Sequence, residues 1–460
     1  MVDLRLDHVA EKTQGKILQG SPSLVFQKYS IDSRCTAEGE LFFALVAERN
    51  GHDYVRHAVE KGASGAVISQ EIAPVNKEFG LVQVNDTLIA LQDLARWALS
   101  EQPLPVIGIT GSIGKTTTKE FAASLLSSRL KVLKSEGNYN NHIGLPLSLL
   151  NLQGWHEVAV LEMGISTPGE IAVLTRIAPP DVAVITNINP VHLQFFQSID
   201  EIAIAKKEIL TGMKEGGIAV LNGDDPYVTK LANDWGGKKI FFGLSEECDI
   251  HAKNIQRSGL EGMSFDLCFG QGEGKMFIPF FYTSYLYNFL AAVAVASVYS
   301  ISLDDIRARA KSLKTSEMRG NLMRLKRNIV LIDDSYNSNP AALASVLKDL
   351  GEATAGRKIA ILGDMLELGE QEVDYHVRAG TAVKNSMWDA LITVGPLSRH
   401  MAEGALSAGM RRDRIFSFED SDKAAEAIWP LIKEGDLILV KGSRGMKTEK
   451  IVKKIKQEGS

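Results

Sequence analysis

Cysteine is scarce in this chain and badly placed for cross-linking. Cys35, Cys248 and Cys268 are odd in number, far apart and include no CxxC pair. That spacing excludes a disulfide framework and a zinc site, and points to a reducing, cytoplasmic setting. A basic excess is missing too. Lysine plus arginine number 51 against 56 acidic residues, a net charge of −5, which argues against a dedicated nucleic-acid binder. No apolar run is long enough to span a bilayer. The most apolar window, residues 289–301, falls short of the roughly 20 residues such a span needs and reads as a buried helix. The N-terminal stretch MVDLRLDHVAEKTQGK is charged and has no continuous apolar core, so it is not expected to be a secretory signal. Tandem repeats and low-complexity tracts are absent, and no apolar seam demands an oligomer, so a monomer is expected.

What is present is an ordinary globular composition, 45% hydrophobic and 23% charged over 460 residues, enough for two to four domains. Three segments differ in character. Residues 1–100 read as a small α/β domain, with GELFFALV as a buried strand and HDYVRHAVEKGASGAVIS as helix, turn and strand. Two prolines in SEQPLP at 100–105 mark a linker. Residues 101–312 alternate short apolar strands (PVIGIT, HEVAVLEMG, DVAVITNI, GGIAVLN) with helices, the pattern of a parallel sheet covered on both faces. Residues 313–460 repeat that pattern with NIVLIDDSY, RKIAILGD, DALITVG and DLILVKGS, a second doubly wound, Rossmann-like α/β domain. The expected fold class is α/β in three domains, with a phosphate-loop ATPase domain in the middle.

The most specific local signal is GITGSIGKTTT at 108–118. It follows a strand and opens a helix. Glycines there let backbone N–H groups approach phosphate oxygens at the helix N-terminus. Gly111, Ser112, Gly114, Lys115, Thr116 and Thr117 are the candidate ATP-phosphate ligands; Lys115 reaches the terminal phosphates and Thr116 can ligate Mg2+. The common G-x4-G-K-T spacing would place glycine at 109, where Ile109 stands, so this is a compact TGxxGKTT variant. Glu162 closes the strand HEVAVLE, and His192 follows VAVITNINP. Strand ends are where ligands bind in parallel sheets. Glu162 suits a hard cation, although either residue alone could be structural. Lys206, beside Lys207 in IDEIAIAKKEIL, reads by itself as a helix-surface lysine.

These segments together resemble the Mur ligases over essentially the whole chain. TGSIGKTTT, GNYNNHIGLP at 137–146, the acid in LEMG, the histidine in NINPVHL and the lysine in AIAK stand in the family's order. DDSYNSNP at 333–340, ILGDMLELGE at 361–370 and VKGSRG at 440–445 sharpen the likeness to the members that add D-alanyl-D-alanine to UDP-N-acetylmuramoyl-tripeptide. The resemblance implies two Mg2+ ions, held by Thr116, Glu162, His192 and a carbamylated Lys206, with Lys115, Glu162, His192 and Lys206 as the catalytic set. It implies Asn288 at adenine, Arg319 near the phosphates, and Asp334, Asn337 and Asn339 on the ATP and dipeptide side. It places Asn138 and Asn141 against substrate, and Ser33 and Arg34 in a UDP-sugar pocket of the first domain.

Three departures stand out. Ser284 and Tyr285 occupy the positions of a family histidine and asparagine ahead of Asn288. The first domain reads VAERNGHD at 46–53 without the usual preceding glycine and aspartate. Lys207 and Gln197 replace family glycines. Three other functions are open at this point. They are a Mur-type ligase for a different amino acid, a phosphate-loop kinase or ATPase without ligation, and a non-catalytic nucleotide binder.

Overall fold

The computed structural model describes residues 4–73, 75–270, 272–353 and 356–460; residues 1–3 of the charged N-terminal stretch lie outside it. Its sheets follow the apolar runs. The first has the order Lys16–Gln19, Gly80–Gln83, Gly65–Ile68, Glu40–Phe43, Lys28–Ser30. Its pairs are parallel except for the antiparallel edge at Lys16–Gln19. Glu40–Phe43 is buried throughout, as a strand covered on both faces must be.

Residues 100–101, expected in a linker, are helical. They end the helix Thr87–Glu101, which is started by Asp86 accepting from the N–H groups of Leu88 and Ile89. This helix shares one apolar cluster with the central unit, where its Leu91 and Leu94 join Leu145 and Leu149. The first sheet and the middle of the chain therefore share a core rather than meeting across a flexible joint.

The central sheet has nine strands. Seven, from Val132–Lys134 across to Ile250–Arg257, are parallel. The strands Met263–Phe269 and Gly272–Ile278 add to one edge in antiparallel fashion, because connections this short leave no room for a crossover. The strand Val106–Thr110 lies between Val158–Glu162 and Val182–Ile185, so the chain reverses its direction of winding there. A crevice at that switch point is the usual ligand site of such sheets. The window 289–301 is largely the helix Thr283–Val298, whose residues from Asn288 to Ala296 are all buried against the phosphate-loop helix Lys115–Leu126 and the sheet. No helix among the described residues is long and apolar enough to cross a membrane.

The C-terminal sheet has the order Asn321–Arg324, Val330–Asp334, Leu437–Lys441, Lys358–Gly363, Ala390–Val394, Ile415–Phe418. It is parallel apart from its first strand. One polar knot ties it to the central unit. Asp349, on the helix Pro340–Gly351, accepts from the N–H of Thr283 at 2.8 Å and from Arg257 Nη2 at 2.7 Å. A carboxylate of one unit thus caps a helix N-terminus of the other, where the dipole favours negative charge. Asp349→Ala would leave the Thr283 N–H without its acceptor and Arg257 with only Thr283 Oγ1 and Glu352, and is expected to lower stability by roughly 1–3 kcal/mol. Denaturant unfolding monitored by circular dichroism reads this directly, with Asp349→Asn losing less.

Candidate functional site

The phosphate loop is built before any ligand arrives. Gly111 and Gly114 have φ of +145° and +86°, conformations that side chains oppose. A Cβ on Gly111 would run into Thr186 Oγ1, and one on Gly114 into Asn288 Oδ1. The segment after strand Val182–Ile185 holds the loop from the side. Ser112 N–H donates to Asn187 O at 2.9 Å, Ser112 Oγ to Asn189 O at 3.0 Å, and Ile113 N–H to Asn187 Oδ1 at 3.0 Å. Lys115 is half-buried and its ammonium curls back onto Gly111 O at 2.9 Å, the place a phosphate oxygen would claim.

Glu162 is buried at the end of its strand, in register with Ile109. Its Oε1 accepts from Asn140 Nδ2 at 2.7 Å, and its Oε2 has no partner among the described residues. On the adjacent strand Thr110 Oγ1 is also buried without a partner. A buried carboxylate oxygen left bare is costly, and a hard cation satisfies it. Asn140 was not among the residues expected from sequence, which named its neighbours Asn138 and Asn141. Nor was Lys119, which is fully buried and donates to the carbonyls of Ser135 at 2.6 Å and Gly137 at 3.1 Å. It ties down the loop that carries Asn140. The signal for both was present in the dense run GNYNN and in the second lysine of GKTTTK, but which asparagine turns inward depends on the fold.

Lys206 overturns the surface reading of its helix: it is 1% exposed. It makes no hydrogen bond or ion pair among the described residues. Burial pushes its ammonium well below the usual lysine value, and the nearby Lys115 charge adds to this. Burial likewise lowers Lys115, where Glu162 opposes the shift and Arg319 reinforces it. His192 is lowered by burial, with Glu367 pulling it back up and Lys115 and Lys206 pushing it down. Lys206 and His192 thus both feel the Lys115 charge, His192 also feels Lys206, and Lys115 feels Glu162 and Arg319. Among the described residues no group of three or more His, Cys, Asp or Glu forms a self-sufficient metal site. A cation here would take Glu162 Oε2 and find its other oxygens on phosphates or on a modified Lys206.

The remaining expected residues fall in three places. Asn288 is buried behind the loop, its Oδ1 accepting from Thr118 Oγ1 at 3.3 Å. Arg319 stacks on Tyr336 with 3.9 Å from its guanidinium carbon to the ring centroid. Asp334 forms a buried ion pair with Lys441 at 2.6 Å, so Lys441 is no solvated basic residue. Asn337 Oδ1 accepts from Ser338 N–H, and Asn339 Oδ1 caps the helix Pro340–Gly351 through Ala342 N–H, both local turn roles. Asn138 is exposed, and Asn141 Oδ1 accepts from Ile143 and Gly144 N–H. Ser33 is buried against His57 Nδ1 at 2.9 Å, and Arg34 is exposed and paired with Asp32. These two lie in the turn after the strand Lys28–Ser30, which touches the helix Gly144–Leu150 that follows Asn141. At the altered segment before Asn288, Tyr285 O–H donates to Arg319 O at 2.6 Å, and the buried ring of Tyr285 meets Phe280 edge-on and Tyr282 at a tilt.

The Mur ligase middle-domain family matches residues 109–296, and the Mur ligase glutamate-ligase-domain family matches 318–444. The chain is 36% identical over 458 residues to a UDP-N-acetylmuramoyl-tripeptide--D-alanyl-D-alanine ligase of Bacillus subtilis, covering 98% of each. It is 32% identical to the Escherichia coli enzyme of that name, covering all of both. Among solved structures, MurF from Acinetobacter baumannii superposes with a TM-score of 0.89 at 29% identity over 99% of each chain. MurF from Thermotoga maritima in complex with ADP gives 0.82 at 30% identity, over 94% of this chain and 97% of that one. With both domain families matched and relatives of this identity along its full length, the chain belongs to the Mur ligase family, on its MurF branch.

Proposed function

We propose that this chain is an ATP-dependent ligase that joins UDP-N-acetylmuramoyl-tripeptide to D-alanyl-D-alanine, yielding the UDP-linked pentapeptide, ADP and phosphate. The observation that carries this reading is the buried Glu162 carboxylate, with one bare oxygen among the described residues, on the strand beside a preformed phosphate loop whose Lys115 feels its charge. That charge pattern suits a triphosphate meeting a second anion. The relatives' names supply the identity of that anion.

In the first step a carboxylate oxygen of the tripeptide attacks the γ-phosphorus, and the bond to the β-bridging oxygen breaks to release ADP. The dipeptide amine then attacks the acyl carbon, loses a proton, and expels phosphate from the tetrahedral intermediate. Lys115 leaves the loop carbonyls for the phosphates and follows the charge as it moves. Arg319, held flat on Tyr336, presents its guanidinium from the C-terminal side. Thr116 and Glu162 would hold one Mg2+; His192 and carbamylated Lys206 would hold the other. The two ions, when bound, screen carboxylate from phosphate and stabilise the transferring group. The carbamate is supported by the burial of Lys206 away from any acidic partner, which favours the neutral amine that takes up carbon dioxide.

We further assign residues 1–100 to the UDP-sugar, with Ser33 and Arg34, residues 101–312 to ATP, and 313–460 to closing over it. Gly111, Ser112, Gly114 and Thr117 contact phosphate, and Asn288 lies toward adenine. Asn138 and Asn141 face the acceptor, and Asp334, Asn337 and Asn339 face the ATP and dipeptide side. A nucleotide-linked precursor and an ATP requirement fit a cytoplasmic, monomeric enzyme.

Phosphate release from ATP and Mg2+ should require both UDP-MurNAc-tripeptide and D-alanyl-D-alanine and should coincide with a new pentapeptide mass. Release without the dipeptide would point instead to a kinase or ATPase. Lys115→Ala is expected to cut turnover by roughly 10²–10³-fold. Lys206→Ala should lose ligation to a similar degree, keep precursor binding by calorimetry, and recover in part with a short carboxylate; full activity in this variant would remove the carbamate role.

A further inference from the structure

The segment ILGDMLELGE marks this branch of the family, yet nothing in the mechanism above uses it. Its Glu367 reaches out of the C-terminal unit to the central one. His192 Nδ1 lies 2.6 Å from Glu367 Oε2. The backbones dock as well: Gln194 N–H donates to Glu367 O at 3.2 Å. At Gly369, φ +61°, a side chain would press on Leu193 O. His192 and Glu367 themselves have φ of +56° and +64°, a conformation that costs non-glycine residues energy and persists where the surroundings impose it. The loop bearing Glu367 is anchored within its own domain. Met365 N–H donates to buried His376 Nε2 at 3.0 Å and Leu366 N–H to Ser443 Oγ at 2.9 Å. Ser443 N–H in turn donates to Asp364 O at 3.0 Å.

An ionised carboxylate only accepts, so the imidazole must carry its proton on Nδ1. The Nε2 lone pair is then free, in the orientation that a carboxylate behind a ligating histidine imposes. We propose that Glu367 is a positioning residue that fixes His192 for cation binding, and that it does so only while the C-terminal domain is docked, so that loading of the cation site and domain closure are coupled. This rests on His192 being a cation ligand. Reciprocity follows: if docking strengthens cation binding, the cation strengthens docking by the same factor.

The test uses the full chain with ADP, and Mn2+ as the probe, read by calorimetry and electron paramagnetic resonance. Glu367→Ala is expected to weaken Mn2+ by roughly 10–100-fold while ADP affinity in the presence of a chelator stays unchanged. Glu367→Gln, whose amide oxygen still accepts from Nδ1, should restore most of it. Solution scattering should show Mn2+ compacting the ADP-bound wild type and not the Glu367→Ala variant. His192→Ala separates the two claims. If it leaves Mn2+ affinity intact, the ligand role of His192 is wrong. If it weakens Mn2+ and Glu367→Ala does not, the ligand role stands and the positioning role falls. A Glu367→Gln variant as weak as Glu367→Ala would also overturn it, because charge and not orientation would then be what the site uses.

Discussion

Glu162 sets the terms for everything around it. Its carboxylate is buried at the end of a central strand, and only one of its two oxygens is satisfied, by Asn140. An uncompensated buried charge is among the most expensive things a protein can hold. The surroundings answer with Lys115 on the adjacent loop, which feels the Glu162 charge, and with Lys119, which fixes the loop that supplies Asn140. The same arrangement is short of negative charge until a polyphosphate and cations arrive. A site that is electrostatically incomplete when empty binds its anion with little reorganisation, which is what phosphoryl transfer asks of a protein.

The second dependence is between domains. Arg257 and Thr283 meet Asp349, Tyr285 holds the carbonyl of Arg319, and His192 meets Glu367. Each contact joins the central unit to the C-terminal one, and the last two end at Arg319 and His192, both assigned to the proposed site. Tyr285 stands where the resemblance leads one to expect an asparagine. Its ring lies in the aromatic cluster beneath the phosphate-loop helix, packed against Phe121 and Phe280, and its hydroxyl has become a fastening for the segment that opens the C-terminal domain.

Much of the fold was legible. Strands such as VIGIT and VAVLE are short, apolar up to their C-terminal ends and rich in β-branched residues, so burial between helical layers is their natural placement. Two features were not. The edge strand Gly272–Ile278, GEGKMFI, carries two glycines and alternates only weakly, although its neighbour MSFDLCF alternates clearly, and alternation is what distinguishes a half-exposed strand. The 100–105 stretch looked like a linker because of its prolines, but the helix before it runs to Glu101 to reach a shared core.

At the site, the sequence alone determined the phosphate loop, because its chemistry is local: glycines, lysine and threonine act within one turn of one helix. It also named Glu162 and His192, since strand ends point to the ligand edge of a parallel sheet. Only the tertiary structure decided the rest. A lysine pair on a helix does not say which member is buried, and the sheet turned Lys206 inward and left Lys207 half-exposed. Three asparagines in GNYNN look alike until Glu162 selects Asn140. Glu367 lies 175 residues from His192, and no periodicity reaches that far. Burial and long-range pairing are properties of the packed chain, and they are what turn a list of polar residues into a site.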